Sequence, residues 1–119
     1  MAYKVLRSRD SYGDLEFIFD HLVESYAALG DSLESALDRA ADRILQIEGS
    51  LASIAKAPFQ GTLRPEILPE LRNVTKENTI IYFTVSEEFE EIRILAFFFG
   101  GQDHQRHMLK RMAQESKNS

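Results

Sequence analysis

The stretch from Ile92 to Leu109, IRILAFFFGGQDHQRHML, decides the fold that we predict for this chain. Its first part, Ile92 to Phe99, is dominated by β-branched and aromatic residues, which favour a β-strand. Because the second half of that strand is apolar on both faces, we place it in the centre of a sheet. Gly100 and Gly101 should end the strand.

A short basic helix should follow, capped by Asp103. Residues 100–119 hold four basic residues and two acidic ones, a net charge of +2, whereas the whole chain carries -5. The only basic region of the sequence is therefore this tail. Three apolar residues should form the buried side of its helix: Met108, Leu109 and Met112.

The first half of the chain predicts one strand and two helices. Tyr3 to Arg7 suits a strand, and Ser8 or Asp10 can cap the first helix. Its apolar stripe has helical spacing and comprises Leu15, Ile18, Phe19, Leu22, Val23 and Tyr26. A second helix should start after Gly30, with Asp31 and Glu34 forming a capping box. Its seam alternates steps of four and three and comprises Leu33, Leu37, Ala40, Ile44, Ile47 and Leu51.

The second half predicts a β-meander. Pro58 ends the helix, and residues 58–69 form a loop held to the core by Phe59, Ile67 and Leu68. Glu70 to Thr75 and Thr79 to Val85 are strands that precede the strand from Ile92 to Phe99. The predicted order is β-α-α-β-β-β-α, an α+β domain over residues 1–119 in which an antiparallel helical hairpin packs on a small, mainly antiparallel sheet.

Composition limits the class of protein. The chain has 119 residues, of which 44% are hydrophobic, enough for one modest core. It has no cysteine, hence no disulfide and no thiolate nucleophile. No apolar run suggests a membrane span and no secretory signal is evident, so we expect a cytoplasmic protein. The net charge of -5 argues against a general nucleic-acid binder.

With these elements in order, the sequence resembles the ParE/RelE superfamily, the toxins of type II toxin–antitoxin modules. The resemblance spans nearly the whole chain. Its motifs are Leu71-Arg72 ahead of an I-x-Y-x-V strand, the run IRIL at residues 92–95, and a Gly-x-x-Asp pattern that starts at Gly100. Many relatives have a histidine just before the glycine of the last strand, where this chain has Phe99.

The resemblance implies a partner and two alternative activities. A small ParD-like antitoxin, whose C-terminal segment wraps the helical hairpin and the sheet, should hold the toxin in a hetero-oligomer. The ParE branch poisons DNA gyrase and is not known for catalysis, whereas the RelE branch cuts messenger RNA in the ribosome. A third alternative is an antitoxin-binding co-repressor without toxicity. A gene for a small, acidic-tailed protein directly upstream would support the toxin interpretation.

A ribonuclease needs a base for the ribose 2′-OH, cations for the phosphate and an acid for the leaving oxygen. The residues that can meet these needs are Arg72, Arg93, His104, His107 and Tyr82. Arg72 and Arg93 can form an anion clamp, or else pair with Glu70 and Glu91 on the sheet surface. We expect neither a cofactor nor a metal ion.

We favour the ParE branch, because an acidic chain is poorly suited to approach the ribosome's phosphates. The protein should then act on DNA gyrase through surface contact and not as an enzyme. The contact should come from the basic tail, through Arg106, Lys110, Arg111 and Met108.

Overall fold

The computed structural model describes residues 2–99 and 103–118, the last three of them through their backbone alone. In chain order, the elements are β1 Lys4–Arg7, α1 Arg9–Ala28, α2 Leu33–Gly49, α3 Leu51–Lys56, β2 Thr62–Leu63, β3 Arg72–Lys76, β4 Thr79–Ser86, β5 Glu91–Phe99 and α4 His104–Asn118. The α+β class and the packing of a helical hairpin on a sheet are confirmed, whereas α3 and β2 were not predicted. The predicted break at Gly100 and Gly101 lies outside the described residues.

The sheet has five strands in the order β1-β5-β4-β3-β2. β1 runs parallel to β5 and every other neighbouring pair is antiparallel, which confirms a mainly antiparallel sheet. Glu77 and Asn78 join β3 to β4 with φ values of 53° and 57°. Two consecutive positive φ values are typical of the tight turn that matches the twist of a hairpin.

A β-bulge in β5 determines which side chains share a face. Tyr82 lies opposite Ala96, but the next residue, Phe83, lies opposite Ile94, so Leu95 is an extra residue in β5. One side of the sheet, the helix face, packs against α1–α3 through Ile81, Phe83, Ile92, Ile94 and Phe97. The other side, the α4 face, carries Ile80, Tyr82, Ala96 and Phe98.

The start of α1 follows from a serine cap. The Ser8 side chain accepts a hydrogen bond from the Ser11 N–H at 3.2 Å, so Ser8, and not Asp10, is the N-cap. Leu15 and Ile18 are buried against the helix face, as the predicted stripe requires. The four later members of that stripe are half-buried.

The start of α2 differs from the prediction. Ser32 caps the helix by accepting from the Ser35 N–H, while the Asp31 carboxylate binds Arg39. The first two residues of the predicted seam are wrong, because Leu33 and Leu37 are 65% and 40% exposed. Ala40 of the predicted seam is fully buried, and so is Ala36, which was not predicted. Small side chains of this kind allow two helix backbones to approach closely.

Two other boundaries and one loop contact also differ from the prediction. The predicted long helix divides at Ser50, whose hydroxyl donates to the Ile47 carbonyl and competes with the helical hydrogen bonds. β3 starts at Arg72, since Glu70 has a φ of 65° that a strand does not allow. Phe59 is 47% exposed and does not anchor its loop.

Within the described residues, none of the helices is long and apolar enough to cross a membrane.

Candidate functional site

The C-terminal helix α4 lies on the α4 face and covers its apolar side chains. Met108 is fully buried there, with Met112 packed beside it. Asp103 directly precedes the helix, and its carbonyl accepts the His107 N–H at 3.1 Å. Leu109 is 50% exposed, so its predicted place on the buried side is wrong. One residue along a helix is a rotation of about 100°, which carries Leu109 away from the face that Met108 occupies.

At the start of α4, His104 is bound to the sheet by Tyr82. The Tyr82 hydroxyl and His104 Nδ1 are 2.7 Å apart, and the two ring centroids are 5.7 Å apart. Burial raises the pKa of the Tyr82 phenol and lowers the pKa of His104. At neutral pH His104 is therefore a neutral imidazole whose Nδ1 is engaged by the Tyr82 hydroxyl, which leaves only Nε2 for another partner.

Two further polar residues face this pair. A hydrogen bond from the Asn73 side chain and the positive charge of Arg64 oppose the rise in the Tyr82 pKa. The same Arg64 charge adds to the effect of burial in lowering the pKa of His104, while Asp103 acts in the opposite direction. These four residues, Arg64, Asn73, Tyr82 and His104, form what we call the polar cluster.

The polar cluster borders a cavity of about 310 Å³, lined in part by Arg64, Asn73 and His104. Arg64 lies 4.0 Å from Glu66, and its buried Nε has no hydrogen-bond partner among the described residues. A guanidinium beside a neutral imidazole can bind an anion such as a phosphate. The bond to Tyr82 occupies Nδ1 of His104, so only Nε2 is left to contact a bound anion or to exchange a proton.

Arg72 and Arg93 lie on opposite faces of the sheet. Arg72 pairs across the strands with Phe83, which places it on the helix face, whereas Arg93 pairs with Thr84 on the α4 face. The Arg72 guanidinium donates to the Phe59 carbonyl at 2.7 Å, and Arg93 is exposed. The two residues therefore cannot form one anion clamp. In the described part of the chain, neither forms an ion pair within 4.0 Å with Glu70 or Glu91.

The other predicted site residues lie on α4 in different environments. His107 is exposed and stacks on Phe98, with the ring centroids 6.0 Å apart. Arg106 and Lys110 are exposed. Arg111 instead binds Asp14 through both terminal nitrogens, at 2.9 and 2.8 Å. Because Met108 is fully buried, it anchors α4 and is not accessible to a target while the helix is docked.

Sequence reasoning missed Arg64, Asn73 and Asp14. A buried asparagine within a strand usually has a specific hydrogen-bond partner, so Asn73 in the run ELRNVT was the one available signal. Arg64 lies in a loop and Asp14 on a helix, where nothing in the sequence separates them from ordinary surface charges.

No family model matches the sequence, and no curated protein matches it. Among solved structures, the protein is similar to a chain of the chromosomal ParDE TA system from P. aeruginosa, with 24% identity and a TM-score of 0.61, over 82% of this chain and 96% of that chain. It is also similar to a chain of the toxin–antitoxin complex RelBE2 from Mycobacterium tuberculosis, with 13% identity and a TM-score of 0.53, over 83% and 99% of the two chains. The ParE/RelE-like fold predicted from the sequence is thus confirmed.

Proposed function

We propose that this protein is the toxin of a type II toxin–antitoxin module, that a small antitoxin neutralises it, and that its target is DNA gyrase. The main support for the toxin role is the similarity of the fold. The chain aligns over 96% of a chain from a ParDE system and 99% of a chain from a RelBE2 complex, so nearly all of each of those chains has a counterpart here.

An antitoxin is further supported by apolar side chains on the outside of the helical hairpin. Five large ones are at least half exposed: Tyr12, Phe17, Leu29, Leu33 and Leu45. Large apolar side chains that remain in water on a pair of helices are candidates for contact with a partner. A partner that packs on α1 and α2 would remove them from water and stabilise the complex.

Gyrase is favoured over the ribosome by charge and by the state of the candidate catalytic groups. The net charge is -5, and the tip of the β4–β5 hairpin holds Glu87, Glu88 and Glu90, so long-range electrostatics oppose approach to ribosomal phosphate. The Tyr82 hydroxyl engages Nδ1 of His104, so only one of the two ring nitrogens remains for proton transfer. A gyrase inhibitor needs only a complementary surface, and Arg106 and Lys110 of α4 provide exposed cations for it.

The polar cluster supports one second candidate, a ribosome-dependent endoribonuclease. Arg64 could stabilise the charge on a phosphate in the adjacent cavity, and His104 could transfer a proton. For His104 to act as a base, its unprotonated nitrogen must face the substrate, which requires either the tautomer with the proton on Nδ1 or loss of the bond to Tyr82.

Regulated expression in bacterial cells tests the toxin role and separates the two targets. We expect growth arrest with filamentation and DNA-break signalling, while messenger RNA remains uncut at early times. The variant Arg64→Gln/His104→Gln, which lacks the charge and the imidazole of the polar cluster, should arrest growth as strongly as the wild type. Harmless expression of a folded, monomeric wild-type chain would contradict the toxin role. Loss of toxicity in that variant alone would favour the ribonuclease.

A further inference from the structure

Two nitrogen atoms of Arg7 are buried without a hydrogen-bond partner. The Arg7 side chain lies on the edge strand β1, contacts Tyr12 of α1 and Glu48 of α2, and is 11% exposed. Its Nη1 donates to the Glu48 carboxylate at 2.9 Å, whereas Nε and Nη2 have no partner among the described residues. Buried polar groups in proteins nearly always form a hydrogen bond, so these two donors lack an acceptor that the folded chain does not supply.

The two unsatisfied donors lie on one edge of the guanidinium. Their N–H groups are parallel, which is the geometry that binds the two oxygens of a carboxylate. The Tyr12 ring covers the guanidinium, with the ring centre 3.8 Å from the guanidinium carbon, but Tyr12 is itself 55% exposed. Rotation of this ring toward solvent would open the edge to a ligand. A carboxylate that enters beside Tyr12 would then satisfy both donors.

Arg7 and Tyr12 line a cavity of about 450 Å³. This volume is within the range of about 300 to 1,000 Å³ that is usual for small-molecule sites. The floor of the cavity is apolar and includes Leu15, Phe19 and Ile44. Leu15 is buried, whereas Phe19 and Ile44 are half-buried, so part of the floor is open to water and can cover an apolar group of a ligand.

The rim of the cavity is acidic. Glu16 and Asp20 line it, both are exposed, and neither has an ion-pair partner within the part of the chain that the structure describes. With Glu48, three carboxylates line the cavity against the one guanidinium of Arg7, a net charge of -2. This field repels a simple anion, so a ligand for Arg7 must also carry a positive charge. Glu16 is one helical turn beyond Tyr12 and can pair with that charge.

We propose that this cavity binds a free α-amino acid with an apolar side chain. The carboxylate of the ligand accepts from Nε and Nη2 of Arg7 once the Tyr12 ring has moved aside. Its ammonium group faces Glu16, and its side chain lies on Phe19 and Ile44. The proposal does not depend on the toxin function, because neither an antitoxin nor a cellular target takes part in this binding.

Three matched compounds test the chemistry of the ligand by isothermal titration calorimetry with the full-length protein. L-leucine has both charges, L-leucine amide lacks the carboxylate, and N-acetyl-L-leucine lacks the ammonium group. L-leucine should bind about tenfold or more tightly than either analogue, because each analogue leaves one charged group of the site unpaired. Absence of binding by L-leucine would overturn the proposal. Equal binding of N-acetyl-L-leucine would also overturn it, and would indicate the C-terminus of a peptide as the occupant.

A first pair of variants tests the role of Arg7. Arg7→Lys keeps a positive charge beside Glu48 but has no pair of parallel donors, so it should weaken L-leucine binding about tenfold. Arg93→Lys makes the same change at an exposed position on the opposite face of the sheet, and it should leave the affinity unchanged. A thermal melt checks that both variants are folded. Unchanged affinity in a folded Arg7→Lys variant would overturn the proposal.

A second pair of variants tests the acidic rim and keeps the proposal testable if Arg7→Lys does not fold. Glu16→Gln/Asp20→Asn changes two exposed residues and should weaken L-leucine binding about tenfold. Asp42→Asn/Glu88→Gln removes the same charge from exposed positions that do not line the cavity, and it should leave the affinity unchanged. Equal weakening in the two variants would reflect net charge alone and overturn the cavity as the site.

Discussion

Asp14 in α1 and Arg111 in α4 form a two-point ion pair, although 97 residues separate them in the sequence. Asp14 also accepts the N–H of Phe97, and Arg111 also contacts the carbonyl of Leu95, the extra residue of the β5 bulge. One carboxylate thus joins the first helix, the central strand and the last helix. Arg111 therefore holds α4 to the rest of the protein, and its guanidinium is not free to contact a target.

Asp14→Ala should destabilise the protein by about 2 to 3 kcal/mol, because it removes three hydrogen bonds and leaves the half-buried Arg111 with Asp10, at 4.0 Å, as its nearest carboxylate. Urea unfolding measures this loss. The control is Asp10→Ala, since Asp10 is half exposed and 4.0 Å from the Arg111 Nε. It should cost at most about 1 kcal/mol. Equal losses in the two variants would show that the ion pair does not hold α4.

The basic surface of α4 can now be tested without disturbing its docking. Arg106→Ala/Lys110→Ala changes two exposed residues, so stability should change by less than about 0.5 kcal/mol. We expect this variant to lose toxicity and to keep antitoxin binding. Arg111→Ala cannot serve the same purpose, because it breaks the ion pair with Asp14. Full toxicity in the double variant would show that the contact with the target lies on another surface.

The stability of the protein should fall below about pH 6.5, the ordinary pKa of histidine. Burial and the charge of Arg64 lower the pKa of His104 in the folded state, so between the two pKa values the unfolded chain binds more protons. Stability from this group is therefore complete above the unfolded pKa and is lost as the pH falls through the folded one.

Unfolding free energies measured across this pH range in wild type and His104→Gln test the linkage. The variant should lack the part of the slope that His104 causes. His107→Gln controls for the loss of an imidazole from the same helix. Identical slopes in wild type and His104→Gln would contradict the described environment of His104.

Local sequence signals predicted the elements of the fold well but not all of their boundaries. Runs of β-branched and aromatic residues predicted β4 and β5, since strand propensity depends on the local side chains. The sequence could not show that Ser32, and not Asp31, caps α2, because both residue types cap helices. What distinguishes them is that the Asp31 carboxylate pairs with Arg39. The exposure of Leu33 depends on where α1 lies, which no periodicity reveals.

The candidate site was less predictable, because it depends on contacts between distant residues. Tyr82 and His104 were both named as candidates, yet their hydrogen bond requires α4 to dock at one register on the sheet. Arg72 and Arg93 looked equivalent in the sequence. Strand register places them on opposite faces, and a register shift of one residue reverses the face that a side chain occupies.

The central claim is that the protein inhibits gyrase through surface contact and not by catalysis. The most direct test is a supercoiling assay with purified DNA gyrase, wild-type protein and the variant Arg64→Gln/Tyr82→Phe/His104→Gln, beside primer extension on translated messages. We predict that both proteins inhibit supercoiling to the same extent and that neither cuts messenger RNA. Normal supercoiling together with codon-phased cuts in ribosome-bound message, present for wild type and absent for the variant, would contradict the claim.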